Sequence, residues 1–174
     1  MIICEMGVMA IRHKKIAVFF ILVCSLLAIA AGIYYHRHAP DRMAKNILLS
    51  ITTDSKIESL FTDSPDLEPE TFLEHCEQRY RPDLTEEAFD MAVRDGTFLT
   101  FFRSNPKGGR LKSSGIEVER LQTLPDDISF FGVVKADYVS ADGSAYTQTW
   151  NAKIRIVRVK GTWKIKYLTL TFVR

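Results

Sequence analysis

The chain has 174 residues, of which 47% are hydrophobic and 25% are charged, and its formal net charge at pH 7 is +2. This length has room for one domain and a short additional segment. Three of the 23 Lys and Arg residues and one of the 21 Asp and Glu residues precede His36, which leaves twenty of each sign beyond it. This balance of charge argues against nucleic acid as a partner.

An uncharged apolar run near the N-terminus extends from Ile16 to Tyr35. An α-helix of that length spans about 30 Å, the thickness of the hydrocarbon core of a bilayer. We therefore predict that residues 1–15 form a cytoplasmic tail, residues 16–35 a transmembrane helix and residues 36–174 an extracytoplasmic domain. The orientation follows from the basic residues crowded before the run, because positive charge favours the cytoplasmic side. The expected location is the cell membrane, with a single span.

The same segment is compatible with a secretory signal peptide that is removed. Lys14 and Lys15 end a basic cluster before the apolar run, and Ala28-Ile29-Ala30 supplies small residues at the spacing of a cleavage site. The apolar run continues to Tyr35, however, and is longer than the core of a typical signal peptide. The length favours an uncleaved signal-anchor, and cleavage remains the alternative.

The first half of the domain has the patterns of three helices. Apolar residues recur every four positions after Pro40, which predicts a first helix. Ser55-Lys56-Ile57-Glu58 matches a capping box and predicts a short helical turn. A second helix is predicted over residues 69–80, with Pro82 ending it. A third follows a capping box at Asp83–Glu86 and stops near Gly96. On the second helix, we expect Cys76 to be a small buried apolar residue and His75 to have a structural role.

The second half changes to the period-two alternation of β-strands. Strands are predicted over residues 113–124, 128–140, 146–160 and 163–173. Residues 97–103 fit either a strand or a continuation of the third helix, and Gly96 before them favours the strand. Asp142-Gly143 and Gly161 mark two hairpins. The alternation slips after Ile156, which predicts a β-bulge or a strong bend. The predicted architecture is α+β: an N-terminal transmembrane helix, then three helices packed on a bent, cone-like antiparallel β-sheet.

Three helices followed by a bent sheet with a Gly161-Thr162-Trp163 hairpin resemble the cystatin-like, nuclear transport factor two-like (NTF2-like) superfamily. The resemblance covers roughly residues 40–174. With a membrane anchor in front, the layout is similar to the scaffold domains of type IV secretion and conjugation systems. The acidic segment between the first two helices matches the superfamily's pattern only loosely. The resemblance implies a fold and leaves function open, because this fold serves isomerases, binding modules and structural proteins alike.

The sequence contains no metal-ligand spacing of the HExxH or CxxC type, no nucleophile motif and no phosphate-binding glycine loop. We therefore predict no catalytic residue, no cofactor and no metal, and a protein that is not an enzyme. One alternative remains open, a small-ligand-binding or isomerase-like cone with a cavity lined by Tyr138, Trp150 and Tyr167. Aromatic core packing explains these three side chains equally well.

Charge is segregated along the domain. Residues 54–95 hold thirteen acidic and four basic residues, whereas residues 151–174 hold seven basic and no acidic ones. Four of the basic residues alternate on strand faces and form a candidate interaction face: Lys153, Arg155, Lys164 and Lys166. The ordinary interpretation is a solvated face that protects the sheet from aggregation. The functional one is a non-catalytic membrane-anchored interaction domain of a bacterial cell-envelope, conjugation or secretion assembly, with a protein partner or self-association.

Overall fold

The structure, a computed structural model, describes residues 21, 23–30, 32, 38–63, 69–105 and 109–173. The chain divides into two compact units, Met1–Ala39 and Pro40–Arg174. In the first unit the described residues up to position 32 are helical. Among the described residues, no helix combines the length and the hydropathy that crossing a membrane requires. The predicted cytoplasmic tail and much of the predicted transmembrane helix at Ile16–Tyr35 lie outside the described residues.

The second unit combines helices with one antiparallel sheet, so the predicted α+β class is confirmed. Its helices are α1 (Ala39–Thr52), α2 (Ser55–Asp63), α3 (Pro69–Tyr80), α4 (Glu86–Arg94) and α5 (Thr100–Arg103), with 3-10 turns at Arg81–Asp83 and Thr97–Leu99. The strands are β1 (Arg110–Leu124), β2 (Asp127–Val139), β3 (Ala145–Val159) and β4 (Thr162–Val173). They pair in the order β1-β2-β3-β4, each antiparallel to the next.

Two helix starts differ from the predicted capping boxes by one or two residues. At α2 the carboxylate of Asp54, rather than the hydroxyl of Ser55, accepts hydrogen bonds from the N–H groups of Lys56 and Ile57. At α4 the N-cap is Thr85, whose hydroxyl accepts from the N–H of Ala88. Both residue types satisfy the unpaired amides of a first helical turn.

The predicted strand at residues 97–103 is wrong, because this segment is helical. Gly96 has a φ of 69° and ends α4, and the N–H of Leu99 then donates to the C=O of Gly96 to begin a new turn. The helical turn brings Phe98 and Phe101 to the same side, three residues apart. Phe98 stacks on Tyr80 and Phe101 meets Trp150 edge-on, each with ring centroids 4.4 Å apart. A strand would have directed these two rings to opposite faces.

The core lies between the helices and one face of the sheet. Helix α1 approaches the sheet where small residues face each other, because Gly132 of β2 pairs with Ala152 of β3. A Cβ atom at position 132 would lie 3.1 Å from Cδ1 of Leu48 and 3.3 Å from the Ala152 Cβ. The absence of a side chain on Gly132 therefore gives Leu48, which is fully buried, its place against the strands.

A β-bulge lies opposite the predicted slip at Ile156, and the additional residue belongs to β4 rather than to β3. Arg155 of β3 pairs with Tyr167 and the next residue, Ile156, pairs with Ile165, so Lys166 is the additional residue. The slip lets Ile165 and Leu168 both face the core although they are three residues apart, and both are buried. Such a bulge bends the strand and increases its twist.

Candidate functional site

The face of the sheet opposite the helices, here called the outer face, is left uncovered by the described helices. Alternate residues of β2 are buried, from Ile128 to Tyr138, while those between them are half-buried or exposed. The register of the strands continues this division, because Phe131 pairs with Lys153 and Arg155 pairs with Tyr167. Lys153, Arg155 and Tyr167 therefore lie side by side on the outer face, and the first two are members of the predicted interaction face.

Arg155 is neutralised within the outer face. Its guanidinium forms a two-pronged ion pair with Asp127 of β2, with Nε 2.9 Å from Oδ1 and Nη2 2.5 Å from Oδ2. The hydrogen bond from Arg155 lowers the pKa of Asp127 below its usual value. The guanidinium of Arg155 offers little attraction to an acidic partner, because the carboxylate of Asp127 already neutralises its charge.

Lys164 is also engaged, since its ammonium donates a hydrogen bond to the C=O of Pro82 in the 3-10 turn after α3. The remaining members of the predicted face, Lys153 and Lys166, are both exposed. The four residues therefore do not form one uniform basic strip. The charge of Lys166 also helps to lower the pKa of Asp127.

The outer face is acidic on its other side. Glu117 and Glu119 of β1 pair with Val133 and Phe131 of β2, which assigns both carboxylates to the outer face. Basic and acidic side chains are thus separated by the width of β2, with two apolar side chains between them. This part of the pattern was not predicted, because β1 and β3 become neighbours of β2 only once the strand order is known.

The structure does not bring the three predicted cavity-lining residues together. Tyr138 and Trp150 are buried, with 4% and 0% exposure, on the helix side of the sheet. Tyr167 is 38% exposed and lies on the outer face, because the bulge at Lys166 shifts the alternation. Tyr138 stacks on Tyr146 with ring centroids 5.3 Å apart, and Trp150 packs between Phe101 and Phe172. These contacts are those of core packing.

A buried polar cluster joins α3 to the junction of α1 and α2. The Asp54 side chain is only 4% exposed, and its Oδ2 accepts from Nε2 of His75 at 2.8 Å and from the hydroxyl of Tyr80 at 2.5 Å. Nε of Arg79 lies 3.2 Å from the same oxygen. Burial alone would raise the pKa of Asp54, but the hydrogen bonds and the charges of His75 and Arg79 outweigh it and lower that pKa.

The cluster has the geometry of a structural network. Burial, and then the hydrogen bond to Asp54, raise the pKa of Tyr80, so its hydroxyl stays a donor at neutral pH. The neighbouring Cys76 is fully buried, and burial followed by the negative charge of Asp54 raises its pKa to about 12. A thiol in this state is neither a nucleophile nor a metal ligand.

The other polar features either form hydrogen bonds within the fold or involve none of the predicted cavity residues. Asp137 accepts hydrogen bonds from the hydroxyls of Ser113 and Thr147, each at 2.6 Å, and lies on the opposite face of β2 from Tyr138. A depression of about 580 Å³ is lined by residues of β1 and of the β2 end, including Arg110 and Lys112, and by none of the predicted cavity residues. Within the described part of the chain, no three His, Cys, Asp or Glu residues are grouped as metal ligands.

Comparison with known proteins adds a distant structural likeness. No protein-family model matches the chain, and no curated protein matches it. Among solved structures, it is similar to the intermembrane space region of the chloroplast protein ARC6, with 13% identity, a TM-score of 0.39, and coverage of 76% of this chain and 96% of that one. At this level of similarity nothing about the family or the function follows, and the NTF2-like resemblance stays a prediction.

Proposed function

We propose that this chain is a non-catalytic, membrane-anchored interaction domain that binds an acidic protein surface through the β3–β4 side of its outer face. The observation that carries the proposal is the arrangement of Lys153, Lys166 and Tyr167. The two ammonium groups are exposed, and Tyr167 keeps 38% of its surface exposed on the same face. Tyr is enriched at interface cores, and exposed charges around such a residue favour partners of opposite sign.

Anchorage in a membrane is the second part of the proposal. It is supported by the uncharged run from Ile16 to Tyr35 and by the basic residues before it. A domain held at a membrane needs less intrinsic affinity for a neighbouring membrane protein, because the tether raises the effective concentration. A component of a cell-envelope, conjugation or secretion assembly would have these properties.

The experiment for the binding surface is charge reversal in the full chain. Lys153→Glu combined with Lys166→Glu is expected to abolish recovery of partners when the chain is purified from solubilised membranes. The matched control is Lys45→Glu combined with Lys56→Glu, which makes the same change in net charge on the helices, where both side chains are exposed. Equal recovery of partners by the two double variants would contradict the proposed surface.

The experiment for the anchor is identification of the mature N-terminus together with extraction of membranes at alkaline pH. An uncleaved chain that stays in the membrane pellet is the expected result. A mature chain that begins at Ala31 and is released in soluble form would contradict the anchor and indicate a secreted protein. The binding surface could still be tested in that case.

A further inference from the structure

Strand β4 is an edge of the sheet that is covered over only part of its length. Leu84 forms a parallel bridge with Ile165, and the N–H of Thr85 donates to the C=O of Ile165 at 2.9 Å. Beyond Ile165, no described backbone pairs with the edge of β4 that faces away from β3. None of the described residues occupies the peptide groups along this part of the edge, which makes it a template for pairing with another strand.

The uncovered segment, residues 167–173 (YLTLTFV), lacks the features that normally protect an edge. It contains no charged residue and no proline, and it contains no glycine. The other edge strand, β1, carries Lys112, Glu117, Glu119 and Arg120. Charges on an exposed edge are a common device against pairing with another chain, and β4 is without them. Three of its large hydrophobic side chains are exposed, with Tyr167 at 38%, Phe172 at 44% and Val173 at 41%.

The segment is self-complementary about Leu170. If two copies of β4 pair antiparallel with Leu170 opposite Leu170, Leu168 lies opposite Phe172 and Thr169 lies opposite Thr171. The outermost pair is Tyr167 with Val173. Apolar side chains then meet on the helix side and threonines meet on the outer face. Aromatic–β-branched pairs and Thr–Thr pairs are among the favourable cross-strand combinations.

We propose that two copies of this chain associate through their β4 edges, antiparallel and centred on Leu170, to form one continuous eight-stranded sheet. The symmetry axis is perpendicular to the sheet, so the helices of both copies lie on the same side. Pairing over residues 167–173 does not reach Ile165, where Leu84 and Thr85 cover the edge. This self-association uses the edge of β4, whereas the proposed partner surface is the outer face; the two share Tyr167, and neither proposal depends on the other.

The test is a charge exchange across the proposed strand pair, made in the full chain in detergent micelles. One variant combines Thr169→Glu with Thr171→Glu, which places like charges opposite each other twice. A second variant combines Thr169→Lys with Thr171→Lys and does the same with positive charge. Each variant alone is expected to lose self-association at least about tenfold, whereas their mixture forms a heterodimer through two Glu–Lys pairs. Formation of the heterodimer also shows that both variants are folded.

The readout is molar mass by light scattering, with differently tagged chains to detect the mixed pair. The control combines Gln122→Glu with Thr123→Glu, which adds the same charge to exposed positions on the other edge strand and is expected to leave the dimer intact. A wild-type chain that is monomeric, a glutamate variant with the wild-type mass, or a mixture that does not associate would each overturn the proposal.

Discussion

Arg155 and Asp127 neutralise each other on the outer face of the sheet, 28 residues apart in sequence and on adjacent strands. The pair explains why the number of basic residues in β3 and β4 overstates the positive charge available to a partner. It also predicts how that charge can be increased without adding a basic residue.

Replacing Asp127 by Asn is expected to release Arg155 and strengthen binding of an acidic partner. The cost in free energy of unfolding should be less than about 1 kcal/mol, because the pair is partly exposed to solvent. Recovery of partners and urea denaturation measure the two effects. Asp137→Asn, which removes the same charge from the outer face without contacting Arg155, serves as the control. Partner recovery by the Asp127 variant that does not exceed that of this control would contradict the explanation.

Asp54→Asn should destabilise the fold by about 1–3 kcal/mol at pH 7, because it weakens a buried hydrogen-bond network. The folded-state pKa of Asp54 is lowered, so its ionised form contributes stability above the ordinary pKa of 3.8. That contribution is lost as the pH falls through the folded-state pKa. The difference in unfolding free energy between the two proteins should therefore narrow below pH 4.

The control for that experiment is Asp90→Asn at an exposed position of α4. It is expected to change stability by less than about 0.5 kcal/mol, as exposed substitutions usually do. A difference between wild type and the Asp54 variant that is constant from pH 7 to pH 3 would show that the charge of Asp54 makes no contribution.

The predicted Asp142-Gly143 and Gly161 hairpins are confirmed, since both glycines have positive φ, 81° and 84°. Local turn chemistry and strand alternation are encoded by neighbouring residues and could be read from the sequence. The Asp54 cluster could not, because His75 and Tyr80 lie 21 and 26 residues away and meet it only through helix packing. The prediction of a strand at residues 97–103 failed for a similar reason. The β-propensity of this segment is overridden by contacts of Phe98 and Phe101 with the core.

Gly96→Ala should cost about 1–2 kcal/mol, because the left-handed conformation at this position is unfavourable for a residue with a Cβ atom. The new methyl group would also meet Nη1 of Arg103 at 2.7 Å. Gly115→Ala in β1 is the matched substitution, since a Cβ atom there meets nothing within 4 Å. Thermal unfolding of both variants gives the comparison. Equal losses of stability would show that the conformation of Gly96 is not the cause.

Cys76 should resist alkylation in the folded protein at pH 8, because its thiol is fully buried and its pKa is raised to about 12. Denaturant should make it reactive, and peptide mass spectrometry can follow the modification. Rapid labelling of Cys76 under native conditions would indicate local opening of α3.

The most direct measurement of the proposed function is site-specific photo-cross-linking in intact membranes. A photoreactive side chain in place of Tyr167 is expected to form an adduct with an acidic protein surface, with a yield that falls in high salt and in the chain that also carries Lys153→Glu and Lys166→Glu. The same probe in place of Leu73, exposed on α3, should give no such adduct. An identical adduct from both positions, or one that is unaffected by salt and by the charge reversal, would contradict the outer face as the binding surface.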